Sequence, residues 1–120
     1  MEQIHLSDSE YRLLQVVWGA EPVGSGQLVT LCGERLGWKK STTYTVLKKL
    51  CDKGVLRNEG STVTSAVPRA AVDHCAAEAF VDKTFGGSLP GFLTAFMGGR
   101  KLTAKEAEDL KRLIETYQEG

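Results

Sequence analysis

Lys40-Ser41-Thr42-Thr43-Tyr44-Thr45-Val46-Leu47-Lys48-Lys49-Leu50-Cys51-Asp52-Lys53-Gly54 is the stretch on which the reading of this chain turns. Thr43, Val46, Leu47 and Leu50 recur at i, i+3, i+4 and i+7, so one stripe of a helix from Lys40 to Lys53 faces inward. At about 100° per residue the opposite side carries Ser41, Thr45, Lys48 and Asp52. Tyr44 lies on one flank of that side, Thr42 and Lys49 on the other. Gly54 stops the helix. Hydroxyls, an aromatic ring and lysines with few balancing acids suit an anionic, hydrogen-bonding partner. A solvated lysine face would have the same composition, so the neighbouring elements decide.

Two helices precede it. Ser7 and Glu10 have the spacing of a capping box, and Leu6 and Tyr11 that of a hydrophobic staple. Tyr11, Leu14, Val17 and Trp18 then give one apolar face, and Gly19 is expected to end the helix. Ser25 is expected to cap a second helix with Leu28, Leu31, Cys32 and Leu36 inward, closed by Gly37. After Gly54 come two β-prone runs, Val55 to Asn58 and Thr62 to Val67, around Glu59-Gly60-Ser61, which reads as a hairpin ended by Pro68. Helix, helix, helix, hairpin is the order of a winged helix-turn-helix, in which the second helix of the pair enters the DNA major groove. Ser41, Thr42, Tyr44 and Thr45 are then candidate base-edge contacts, and Lys39, Lys40, Lys48, Lys49 and Arg57 candidate phosphate contacts.

The remainder reads as a helical arm. Helices are expected from Ala70 to about Phe85, from Leu89 to Met97, and from a second capping box at Thr103 and Glu106 to near Glu119. Leu89, Phe92, Leu93, Phe96 and Met97 share one face of the middle helix. Leu110, Leu113, Ile114 and Tyr117 share one face of the last. Val72, Cys75 or Ala76, Ala79 and Phe80 lie on one side of the first, and an arm of residues 69–120 is too small to bury three such faces alone, so a second copy is the expected cover. The expected architecture is mainly α with a small β-hairpin wing: a winged-helix DNA-binding domain over 1–68 and a dimerisation arm over 69–120.

The 120 residues carry 15 basic and 15 acidic side chains. From Arg35 to Arg57 there are seven basic residues and one acid, a net +6, whereas from Arg69 onward there are seven basic and eight acidic. The neutral average conceals a basic block over the predicted helix-turn-helix. No apolar run exceeds three residues, so no membrane-spanning segment is expected. MEQIHLSDSE lacks the basic and apolar regions of a secretory signal, which points to a cytoplasmic protein. Cys32, Cys51 and Cys75 show no CxxC spacing. His74 and Glu78 share a helix face, but Cys75 points elsewhere, so no metal site is expected. No nucleophile, base and orienting group stand together, so no catalytic site and no cofactor are expected.

Trp38 through Gly54 resembles the recognition-helix segment of the penicillinase-repressor family (the BlaI, MecI and CopY type), with Trp38, Thr42, Thr45, Val46, Leu50, Lys53 and Gly54 matching its pattern. Leu6-Ser7, Glu10 and Val16-Val17-Trp18 resemble its start. Phe80-Val81-Asp82-Lys83, Leu93-Thr94-Ala95-Phe96 and Leu102-Thr103 resemble its arm. The resemblance implies a homodimeric repressor on palindromic double-stranded operator DNA, upstream of antibiotic-resistance or homeostasis genes. In the antibiotic-responsive branch it further implies cleavage within the arm, driven by a membrane sensor protease, at the bond aligned with Ala95-Phe96. Ala95 stands where that branch usually carries Asn. No cysteine follows Cys75, so the copper branch's Cys-x-Cys pairs have no counterpart. Two other readings fit the same residues: a ligand-responsive winged-helix repressor, and a winged-helix interaction module that does not bind DNA.

Overall fold

The computed structural model describes residues 4–119; the first three residues of MEQIHLSDSE and the closing Gly120 lie outside it. The elements run α1 (Asp8–Ala20), β1 (Val23–Gly24), α2 (Ser25–Leu36), α3 (Lys40–Asp52), β2 (Leu56–Glu59), β3 (Thr62–Ser65), α4 (Arg69–Phe85), α5 (Leu89–Met97) and α6 (Ala104–Tyr117). They fall into two compact units, one ending at Phe80 and the other beginning at Val81.

In the first unit both halves of the predicted capping box form. Ser7 Oγ accepts from Glu10 N at 3.3 Å, and Ser7 N donates to Glu10 Oε1 at 2.9 Å. Gly19 does not end α1. The helix continues to Ala20, and Glu21 N closes the last turn on Val17 O at 2.8 Å. An interior glycine costs only about 1 kcal/mol, and Trp18 and Ala20 on either side of it both pack on the core. Ser25 is likewise not the cap of α2 but its first residue. Gly24 occupies the cap, and Ser25 N is drawn to Ser61 O at 2.8 Å.

That bond belongs to a strand the sequence reading did not anticipate. β1 pairs antiparallel with β3 (Val23 opposite Val63, Gly24 opposite Thr62), so the predicted hairpin is the larger part of a three-stranded sheet in the order β1-β3-β2. β2 and β3 pair with Arg57 opposite Thr64 and Asn58 opposite Val63. Their loop is Gly60-Ser61, both at positive φ (57° and 62°), the conformation that matches the right-handed twist of the flanking strands.

α3 ends where Gly54, at φ 77°, lets Val55 N reach back to Leu50 O at 3.0 Å and turns the chain into β2. The core gathers Leu13, Leu14 and Val17 of α1, Leu28 and Cys32 of α2, Val46, Leu47 and Leu50 of α3, Val23, Leu56 and Val63 of the sheet, and Val72 of α4. The first turns of α4 therefore pack with the helix-turn-helix. Tyr11 Oη donates to Asp73 Oδ1 at 2.5 Å, and the Arg69 guanidinium stands 4.7 Å from the Trp18 ring centre.

In the second unit Ser88 caps α5 through its bond from Gly91 N at 2.9 Å, and Thr103 and Glu106 form the predicted capping box of α6. Phe92 packs edge-on against Phe85 and beside Phe96, with ring centres 5.5 and 5.8 Å apart. No residue of α5 or α6 is buried. Among the described residues no helix is long and apolar enough to cross a membrane.

Candidate nucleic-acid interface

The outward face of α3 follows from its inward one. Thr43, Val46, Leu47 and Leu50 are buried, which fixes the helix's rotation and leaves Lys40, Ser41, Thr42, Tyr44, Thr45, Lys48 and Lys49 exposed together. Lys39 extends the set by one residue as the N-cap, with an extended backbone. Two hydroxyls bond back to the helix: Thr43 to Lys39 O at 3.3 Å and Thr45 to Ser41 O at 2.9 Å. The Lys40 ammonium lies 6.0 Å from the Tyr44 ring centre.

Not every basic residue of the Arg35–Arg57 block belongs to this surface. Lys53 Nζ sits 2.8 Å from both carboxylate oxygens of the buried Glu10 and donates to His5 O at 2.8 Å. Burial pushes the Glu10 carboxyl up, but the Lys53 ammonium and the Ser7 hydrogen bonds outweigh it and hold the group below its ordinary value. Lys53 thus ties the C-terminal end of α3 to the start of α1. Arg57 projects from the hairpin face opposite the core and pairs with Glu59 at 3.5 Å. Lys39, Lys40, Lys48 and Lys49 have no ion pair among the described residues. The predicted helix residues therefore form one patch, and Arg57 stands apart on the wing.

Several residues with little signal in the sequence line crevices of this unit. Arg12 of α1 and Arg35 of α2 line a crevice with Gln15, Val16 and Leu36, and Asn58 of β2 lies against the exposed side of α3. Only Arg35 carried a signal, as the edge of the basic block. The thiols of Cys32 and Cys51 are pushed up by burial and stay protonated. Among the described residues no three His, Cys, Asp or Glu side chains are grouped to hold a metal ion.

In the second unit the predicted dimerisation residues separate by exposure. Leu89, Phe96, Leu113, Ile114 and Tyr117 are exposed, whereas Phe92, Leu93, Met97 and Leu110 are half-buried around an apolar groove of ≈ 530 Å³ between α5 and α6. The Ala95-Phe96 bond lies in the last turn of α5, where Gly98 N closes on Ala95 O at 3.3 Å.

A curated penicillinase repressor of Staphylococcus aureus is 20% identical over 117 residues, covering 94% of this chain and 93% of its own. An uncharacterized 16.5 kDa protein of Latilactobacillus sakei is 24% identical over 113 residues, covering 91% of this chain and 77% of its own. Among solved structures, the Bacillus licheniformis BlaI monomer in complex with the blaP half-operator superposes with a TM-score of 0.50 at 22% identity. That match covers 58% of this chain and 90% of that one, and supports the winged-helix fold. The sequence model of the penicillinase repressor family matches residues 6–116, so the chain belongs to that family.

Proposed function

We propose that the chain is a homodimeric transcriptional repressor that binds palindromic double-stranded operator DNA, with α3 in the major groove and the β2–β3 hairpin as its wing. The observation that carries this reading is the exposed face of α3, where four lysines without acidic partners stand among hydroxyls and a tyrosine over a fully packed inner face. A protein that neutralises phosphates releases counterions, so its affinity falls steeply with salt. Replacing both Lys48 and Lys49 by alanine is expected to weaken binding to every duplex and to flatten the plot of log affinity against log salt by about one unit per lost contact. An unchanged slope would make both lysines ordinary solvated charges. A full chain that ignores duplex DNA at low salt would leave the interaction-module reading.

The arm supplies the second half of the proposal. The exposed apolar residues of α5 and α6 meet a second copy. The repressor acts in the cytoplasm on antibiotic-resistance or related stress genes, and a membrane sensor protease system relieves it by cleavage at Ala95-Phe96. Cutting in the last turn of α5 would detach α6 and with it much of the dimer surface. A helix must open before it fits a protease, and α5 has only nine residues. The groove between α5 and α6, within the size range of small-molecule sites, favours a second reading in which a ligand is the inducer. The two separate by mass: exposing producing cells to a β-lactam is expected to shorten the chain after Ala95. A chain that stays intact while its target genes are induced would leave the ligand.

A further inference from the structure

Asn58 is the polar residue in a position the strand pattern assigns to the core. Residues directly opposite in an antiparallel pair project to the same face. Asn58 is opposite Val63, which is fully buried, and two residues along β2 from buried Leu56. Its side chain therefore projects toward α3 at the point where the core gives out. It is exposed and has no hydrogen-bond partner among the described residues. Facing it on α3 are Tyr44, Lys48 and Cys51, which share one stripe at i, i+4 and i+7. With Leu47 these residues line a crevice of ≈ 390 Å³.

The chemistry of the crevice is one-sided. Leu47 and the protonated Cys51 thiol offer no charge. An ammonium, a phenol and an amide are the polar groups, and no carboxylate lines it. Hydrogen-bond donors and one positive charge around an apolar surface complement a phosphodiester, which carries one negative charge, presents acceptors, and is flanked by deoxyribose. Position gives the same answer. An α-helix with its side chains is about 10–12 Å across and fills a major groove about 12 Å wide. The hairpin beside it then lies over the sugar-phosphate strand that borders the groove, and that strand crosses the space between helix and hairpin.

We propose that the crevice between α3 and β2 seats one backbone phosphate of DNA, held by Lys48 Nζ, Tyr44 Oη and Asn58 Nδ2, with Asn58 the wing's contribution. This rests on the DNA-binding reading above. The seat contributes position and affinity without reading sequence.

The test uses the full chain and two 30-base-pair duplexes of unrelated mixed sequence, titrated at several potassium chloride concentrations. Asn58→Ala is expected to weaken binding to both duplexes about fivefold, one hydrogen bond's worth, with the salt slope unchanged because the amide displaces no counterion. Lys48→Ala is expected to weaken both and to lower the slope by about one. Asn58→Asp, which puts a carboxylate into the seat, is expected to weaken both by more than Asn58→Ala, with the excess shrinking as salt rises. Thermal melting of the exposed-site variants at the wild-type temperature confirms that the fold is intact. Asn58→Ala binding as wild type would overturn the seat and leave the DNA-binding reading standing. A loss confined to one duplex would make Asn58 a base reader and overturn the seat as a phosphate site. A wild-type chain that binds neither duplex would remove the DNA-binding reading and the seat with it.

Discussion

A chain truncated after Phe80 is expected to sediment as a monomer and to bind a palindromic duplex about 10²–10⁴-fold more weakly than the full chain. Two half-site contacts held in one dimer gain from effective concentration, and separate heads lose that gain with no contact on α3 disturbed. In the proposed dimer the drive to pair comes from α5 and α6, where Leu89, Phe96 and Tyr117 of the single chain are 56%, 52% and 79% exposed. Burying each large apolar side chain stabilises by roughly 1.5–3 kcal/mol. The cut belongs after Phe80 because a chain ending at Pro68 would also lose buried Val72 and the Tyr11–Asp73 hydrogen bond, and its weak binding would then report unfolding. Sedimentation at micromolar concentration checks the first half, and titration of a palindrome against a half-site checks the second. A full chain that sediments as a monomer would end the proposal of a dimer.

Lys53→Met is expected to destabilise the first unit by about 2 kcal/mol at neutral pH. The figure lies below the roughly 3–5 kcal/mol of a fully buried pair, because the Lys53 side chain is 41% exposed while that of Glu10 is 5% exposed. The substitution keeps the aliphatic stem and leaves the Glu10 carboxylate facing the core edge without its cation. The pH dependence carries the same signature. Glu10 is held below its ordinary value in the folded chain, so its stabilisation is complete above that value and is lost as pH falls through the lowered one. Without Lys53, burial pushes the carboxyl back up, and the loss of stability on acidification should shrink. Urea denaturation at neutral pH and along the acid limb measures both. A midpoint equal to wild type at neutral pH would show that Lys53 does nothing for the fold.

Features fixed by neighbours a few residues apart were legible in the sequence. The capping boxes at Ser7/Glu10 and Thr103/Glu106, and the inward stripe of Thr43, Val46, Leu47 and Leu50, formed as their spacing implies. Features that depend on distant partners were not. β1 has two residues, too few to display an alternation, and exists because β3 offers it an edge. The same edge draws in Ser25 N and moves the start of α2 by one residue. Glu10 reads as a cap, yet its second role with Lys53 spans 43 residues of sequence. For the candidate interface, the phase of α3 located the helix residues, whereas Asn58 could be found only after register placed it opposite Val63.

The Thr45 hydroxyl has one hydrogen, and in the folded helix it is given to Ser41 O. In the proposed complex Thr45 would then hold out to a base pair an oxygen lone pair and a methyl group. Guanine presents only acceptors along its major-groove edge, N7 and O6, and finds no complement there. Adenine and cytosine can donate an exocyclic amino hydrogen to the oxygen, and the thymine methyl can pack on the threonine methyl. Converting Thr45 to serine would keep the lone pair and discard the methyl, so preference at that step would drift away from thymine while the purine rule stayed as it was.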